Sequence, residues 1–184
     1  MISKHSIVLT NKIGEGTTIW QFSVVLSGAT IGKFCNINAH TFIEDDVILG
    51  DYVTIKSGVY LWNGLRIMDH VFIGPNVTFT NDKFPRSKKY PNSFQETIIE
   101  KKASIGAAAI ILGGVSIGEG AMIAAGTLVT KNVPSRALVK GSPSKIVGWF
   151  DDNDQLLKYD FKRNVWTNGS GEIWIVEDNI LIKK

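Results

Sequence analysis

Ile13-Gly-Glu-Gly-Thr-Thr-Ile19-Trp-Gln-Phe-Ser-Val-Val25 begins a run in which one aliphatic or aromatic residue returns every six positions. The series continues through Ile31, Ile37, Ile43, Leu49, Ile55, Leu61, Ile67 and Ile73 to Phe79 with no member missing, and resumes at Ile99, Ile105, Ile111, Ile117, Ile123 and Val129. Against a 44% hydrophobic background, twelve hits at one phase followed by six at a second arise by chance less than roughly once in ten thousand. A period of six fits neither a 3.6-residue helix nor the alternation of a hairpin sandwich, so it marks a structural repeat.

Four residues after each anchor stands a second, smaller inward candidate: Thr17, Ser23, Ala29, Cys35, Thr41, Val47, then Ala103, Ala109, Val115, Ala121 and Thr127. Large and small residues in alternation suit the taper of a narrow triangular solenoid. Glycine follows the anchor at positions 14, 32, 50, 74, 106 and 118, and unusual backbone angles at a tight corner are the expected reason.

The 184-residue chain carries a net charge of +3. That is too weak a field to indicate a nucleic-acid partner, though it suits small phosphate-bearing molecules. No apolar run reaches a membrane span, and Met1-Ile-Ser-Lys4 lacks the apolar core of a signal peptide. The single cysteine, Cys35, excludes an internal disulfide and a cysteine-based metal site. The expectation is a cytoplasmic protein with no metal, no membrane partner and no nucleic-acid partner.

The period resembles that of the hexapeptide-repeat acyltransferases, and the resemblance covers residues 13 to about 147. It implies an all-β fold, the left-handed parallel β-helix, in which three sextets make one triangular coil. Residues eighteen apart then stack about 4.8 Å from each other, and eighteen sextets give about six coils. Residues 1–147 are expected to form the β-helix and 148–184 a cap. Within the cap, 149–162, with Leu156, Leu157 and Phe161, reads as a short amphipathic helix. Glu172–Val176 and Ile180–Ile182 read as a hairpin turning at Asp178-Asn179.

Twenty residues separate Phe79 from Ile99, which is not a multiple of six, so residues 80–98 must leave the coil as a loop. Its polar, basic and aromatic content (Lys83, Phe84, Pro85, Arg86, Tyr90, Phe94) favours an ordered loop that reaches another subunit. Stacking by eighteen places Ser27, Asp45, Asn63 and Asn81 in one column ending where the loop leaves. Solvent-facing corners are polar anyway, so the column has a plain structural reading beside a functional one.

The segments Ile73-Gly-Pro-Asn76 and Phe79-Thr-Asn-Asp-Lys-Phe-Pro-Arg86 resemble one branch of the family: enzymes that use acetyl-CoA to acetylate an amino group on a nucleotide-linked sugar. Within it the resemblance is greatest to enzymes of dTDP-3-amino-3,6-dideoxyhexoses. O-acetylating relatives have a histidine near the start of this loop as general base, where this chain has Asn81 and Asp82. A hydroxyl needs a base as it attacks, whereas an uncharged amine is already a nucleophile, so the missing histidine argues for an amine acceptor. Asp45 and Asn63 join Asn81 as catalytic candidates; Asp82, Lys83, Arg86 and His40 are candidate substrate contacts.

For the donor, Gly106 and Ala124 stack, as do Ala107 and Ala125. The resemblance implies that pantetheine lies along such tiny residues between two subunits of a homotrimer. The Ser142-Pro143 turn and Lys145 resemble the family's terminal turn beside the adenine end of CoA, and Lys131, Arg136, Lys140 and Lys145 are candidates to meet its phosphates, beside the plain reading of solvated surface cations. The implied product is an acetamido sugar for a surface glycan such as O-antigen or S-layer. UDP-amino sugars and O-acetylation are alternatives. A zinc lyase on this fold needs three converging histidines, and His5, His40 and His70 share no column. A non-catalytic solenoid of the ice-binding kind needs an outward threonine ladder that is absent.

Overall fold

The computed structural model describes residues 1–184. It is a left-handed parallel β-helix of seven coils, with no α-helix anywhere in the chain; no helix is therefore long and apolar enough to cross a membrane. The coils lay short strands of two to four residues on three faces, and face three is extended at its ends by single bridges, Ile13 with Ile31 and Ile117 with Val133. Face one runs from Thr18–Ile19 through Asn36–Ile37 and Thr54–Ile55 to Met122–Ile123 and Ala137–Lys140. Face two runs from Ile7–Val8 through Phe42–Ile43, Tyr60–Leu61 and Thr78–Phe79 to Leu128–Val129, and face three from Thr30–Ile31 through Leu65–Ile67 and Thr97–Ile99 to Ser116–Ile117.

The register is the one that the period of six requires. Ile37 pairs with Ile55, Ile43 with Leu61 and Ile31 with Leu49, each eighteen positions on. Residues alternate inward and outward along each strand, so the anchors fill a continuous core; Ile19, Ile37, Ile55 and Ile105 are fully buried. At three of the small inward positions a hydroxyl bonds the backbone: Thr17 Oγ1 donates to the Gly32 carbonyl (2.7 Å), and Ser23 Oγ (3.0 Å) and Thr41 Oγ1 (2.7 Å) donate to that of Asn38. A buried hydroxyl without a partner costs more than it contributes, and these have one.

Three expectations are corrected. The coils number seven, not six, because the N-terminal lead-in already pairs as a coil (Ile7 with Val24, Val8 with Val25) and Ala137–Lys140 adds the last strand of face one. The glycines after the anchors are needed for room, not for unusual angles. A Cβ on Gly14 falls 2.4 Å from the Lys33 nitrogen, and one on Gly106 falls 2.5 Å from that of Ala125. Positive φ occurs instead one residue before the small inward position, at Phe22, Phe34, His40, Tyr52 and His70 as well as at glycines. The loop is shorter than its sequence bounds, because Leu65 pairs with Thr97, 32 positions on instead of 18. Thr97 and Ile98 are back in the coil, and residues 80–96 form the loop.

The expected helix over 149–162 is absent. Lys145–Trp149 turns back antiparallel onto Ala137–Lys140, and Lys158–Asp160 starts a four-stranded antiparallel sheet with Val165–Thr167, Ile173–Glu177 and Ile180–Lys183. Asp151 Oδ1 accepts the Asn153 (2.9 Å) and Gln155 (2.8 Å) N–H groups and so closes a turn, and Asp154 has a φ of 58°. Leu157 is buried while Leu156 and Phe161 are exposed, so the three share no face. The hairpin stands as read: Glu177 pairs with Ile180 across Asp178 and Asn179, both at positive φ. Trp149, Leu157, Trp174 and Leu181 belong to the same 36-residue core cluster as the coils, so the cap covers the last coil and its strand edge.

Candidate active site

The corner between faces two and three carries the polar column. Ser27 Oγ donates to Asp45 Oδ1 (3.1 Å), and the Gly28 N–H donates to the same oxygen (2.8 Å). One coil on, the Asp46 N–H donates to Asn63 Oδ1 (2.8 Å), and Asn81 Nδ2 donates to the Asn63 carbonyl (3.1 Å). The structure therefore brings Asp45, Asn63 and Asn81 onto one line. It also gives Asp45 and Asn63 a structural duty, since their side-chain oxygens bracket neighbouring coils at a corner where regular pairing stops.

Asn81 stands at the neck of the loop. Its carbonyl accepts the Gln95 N–H (3.5 Å), and the Gly64 carbonyl accepts the Thr97 N–H (2.9 Å), so both legs rest on the corner at Asn63-Gly64. A Cβ on Gly64 would lie 2.6 Å from the Gln95 carbonyl oxygen; with a φ of 91° as well, only glycine fits there. Asp82 Oδ1 accepts the Phe84 N–H (2.8 Å) and so turns the chain outward. Lys83, Phe84, Arg86 and Tyr90 are exposed on the projecting part.

Arg66 is a further residue at the neck of the loop. Its guanidinium Nη2 lies 3.0 Å from both oxygens of Asp46, and its Nε lies 3.3 Å from Glu96, the last loop residue. Asp46 also accepts the Gly64 N–H at 3.2 Å. One side chain thus ties the loop's exit leg to the coil below. In sequence Arg66 is an ordinary outward strand position. Only the register, which puts it between Ile48 and Ile98, reveals its partners.

The tiny residues lie on a different edge, between faces one and two. The Gly106 N–H donates to the Ile123 carbonyl (2.7 Å) and the Gly126 N–H to that of Ala107 (2.9 Å). A shallow apolar groove of about 380 Å³ runs beside them, lined by Phe72, Gly106, Met122, Ala124, Ala125 and Leu138. The turn at Gly141–Ser144, with Pro143, sits over this edge: the Gly141 carbonyl accepts the Leu128 N–H (3.0 Å), and the Ser144 N–H donates to the Leu128 carbonyl (2.8 Å). Lys145 follows at the exposed start of its strand.

Two donor-site candidates are not brought there. Lys131 continues the loop corner, eighteen positions beyond Gly113, whose own Cβ would crowd Asn81 Cα at 3.1 Å. Arg136 lies on the third corner and braces the cap, with Nη1 2.6 Å from Asp152 and Nη2 donating to the Leu181 carbonyl (2.9 Å). His40 stacks on Phe22 (centroids 5.3 Å apart) at the edge between faces one and two, off the column. His5 flanks the same Phe22, and His70 stacks on Tyr52 at the third corner. No group of three or more His, Cys, Asp or Glu side chains converges as a metal site.

The family model described as bacterial transferase hexapeptide (six repeats) matches residues 12–45 and 96–131. Over 158 residues the chain is 51% identical to the dTDP-3-amino-3,6-dideoxy-alpha-D-galactopyranose 3-N-acetyltransferase of Aneurinibacillus thermoaerophilus, covering 86% of this chain and 82% of that protein. Among solved structures it is similar to a hexapeptide-repeat acetyltransferase of Vibrio cholerae complexed with acetyl coenzyme A, with a TM-score of 0.54 and 26% identity over 74% of this chain and 72% of that one. A perosamine N-acetyltransferase from Caulobacter crescentus shares the fold at a TM-score of 0.63 and 23% identity, over 74% of this chain and 58% of that one.

Proposed function

Because the chain belongs to the hexapeptide-repeat transferase family, we propose that it transfers acetyl from acetyl-CoA to an amino group on a nucleotide-linked sugar. The proposed acceptor is a dTDP-3-amino-3,6-dideoxyhexose destined for a surface glycan. The relative that is 51% identical carries that substrate in its name.

The observation that carries the reading is the orientation of Asn81. Its Nδ2 is held by the Asn63 carbonyl, which leaves Oδ1 to accept a hydrogen bond from a substrate N–H. A neutral amine so held attacks the thioester carbonyl directly. The C–N bond forms, the C–S bond breaks, and the departing thiolate takes the proton that the nitrogen sheds. No histidine base is required, and the loop contains none.

The loop corner and the tiny-residue edge are separated by the width of face two. A complete site therefore combines the loop of one subunit with the donor edge of another, which supports a homotrimer. In this reading residues 1–147 are the catalytic β-helix and 148–184 its cap. Pro143 and Lys145 lie at the nucleotide end of CoA, and Lys83 and Arg86 face the sugar-nucleotide diphosphate. The enzyme acts in the cytoplasm, where both substrates are made.

Thiol release from acetyl-CoA, measured against a panel of dTDP- and UDP-amino sugars and matched hydroxyl sugars, tests the reaction. Turnover of a dTDP-3-amino sugar is expected; turnover of a hydroxyl acceptor alone refutes it. Light scattering should give a mass near three times 20.2 kDa, and a one-subunit mass refutes the shared site.

A further inference from the structure

Face two carries an aromatic groove of about 370 Å³, lined by Phe22, Val24, His40, Phe42, Tyr60 and Trp62. We infer that it is the binding site for the nucleobase of the acceptor, an inference that rests on the proposed reaction. Tyr60 meets its neighbours edge-on, with centroids 6.4 Å from Phe42 at 89° and 6.0 Å from Trp62 at 70°, while Phe22 and His40 stack at one end of the groove. Tyr60 is 51% exposed and Phe22 58%. Such a cluster of exposed rings marks a binding surface.

Three polar groups border this apolar floor: the Tyr60 hydroxyl, the Trp62 indole N–H and the His40 imidazole. None bonds to the rest of the chain. An apolar floor with a few free donors and acceptors suits a flat heteroaromatic ring with a polar edge, which needs stacking and hydrogen bonds together.

Location selects the nucleobase. Phe42 pairs with Tyr60 and Tyr60 with Thr78, the outward residue of the strand that launches the loop. Trp62 immediately precedes Asn63 of the polar column. The groove thus reaches the corner where Asn81 stands and where the loop carrying Lys83 and Arg86 leaves the coil. A base at the Phe22–Val24 end of the groove leaves its deoxyribose and diphosphate to span the three coils to the level of Asn81, roughly 14 Å.

Intrinsic fluorescence titration with dTDP and with UDP, and with ribose 5-phosphate and pyrophosphate as controls, reads binding without turnover. Both nucleotides should quench wild-type emission saturably, with Trp62→Phe abolishing most of the signal and the controls giving none. Tyr60→Leu, an outward substitution, should weaken dTDP binding roughly tenfold and raise the acceptor KM alike, within the range set by base–aromatic stacking. The acetyl-CoA KM should stay within about twofold.

Nucleotide affinity unchanged in Tyr60→Leu overturns the inference, as does a fall in that variant's solution mass, which would assign the face to a second copy. Wild-type binding of dTDP without transfer to any amino sugar refutes the proposed reaction and leaves the groove standing. Transfer that is indifferent to Tyr60→Leu does the reverse.

Discussion

Asn81 Nδ2 donates to the main-chain carbonyl of Asn63 at 3.1 Å, so the residue at the loop neck is oriented by the coil beneath it. Asn81→Ala should lower kcat by about 10²-fold or more, in line with loss of an oriented polar group at a reacting centre. Its thermal midpoint should change little, because Asn81 lies outside the core. His70→Ala, on another corner, should leave steady-state kinetics near wild type. Equal kinetic losses in the two variants would remove Asn81 from the mechanism.

Arg66 links Asp46 to Glu96 across the neck of the loop. The pair is partly solvent-exposed, so Arg66→Met should cost no more than about 1 kcal/mol of stability. Its larger effect should be local. Trypsin should cut at Lys83, Arg86, Lys88 or Lys89 several-fold faster than in wild type, and the acceptor KM should rise. A cleavage rate equal to wild type would show that the other ties to the corner suffice.

Gly106 and Gly126 look alike in sequence and are constrained differently. A Cβ on Gly106 strikes the backbone of the next coil at 2.5 Å, whereas one on Gly126 meets nothing within 4 Å. Gly126 has a φ of 68°, which costs an L-residue about 1–2 kcal/mol. Gly106→Ala should therefore be the more destabilising in urea unfolding and should also impair acetyl-CoA binding. The opposite order would mean that the coils separate there more easily than their spacing indicates.

Acid should loosen the cap before the coils. Burial raises the Asp151 carboxyl, but bonds from the Gln155 N–H, the Asn168 amide and the Asn153 N–H outweigh it and hold the group below its ordinary 3.8. A carboxyl depressed in the folded state stabilises fully above its unfolded pKa, and that contribution is lost as pH falls through the folded value. The Trp174 region should thus change emission on acidification below about pH 4, while far-UV signal from the coils persists. Asp151→Asn should already be weakened at pH 7 and show a flatter stability profile between pH 5 and 3.

The sequence by itself determined the coil. A period of six, read modulo eighteen, placed Asp45, Asn63 and Asn81 on one line and Gly106 over Ala124. This worked because parallel pairing in a regular solenoid maps sequence distance directly onto height. The same rule located the loop, since an insertion of the wrong length must leave the coil. The hairpin at Asp178-Asn179 was legible because its turn is local.

Tertiary structure decided what depends on contacts outside the repeat. The cap became a sheet because Asp151 closes a turn where the apolar pattern suggested a helix. The glycines proved to be about spacing between coils, a quantity that no single sextet encodes. Arg66 found its partners only through register with a loop exit 30 positions on, and Arg136 was drawn to the cap by Asp152. The aromatic groove arises from the stacked pairs Phe22 with His40 and Phe42 with Tyr60, together with Trp62, which occupy three different phases of the six-residue repeat. Their rings converge only because consecutive coils stack a few ångströms apart and turn the same face outward.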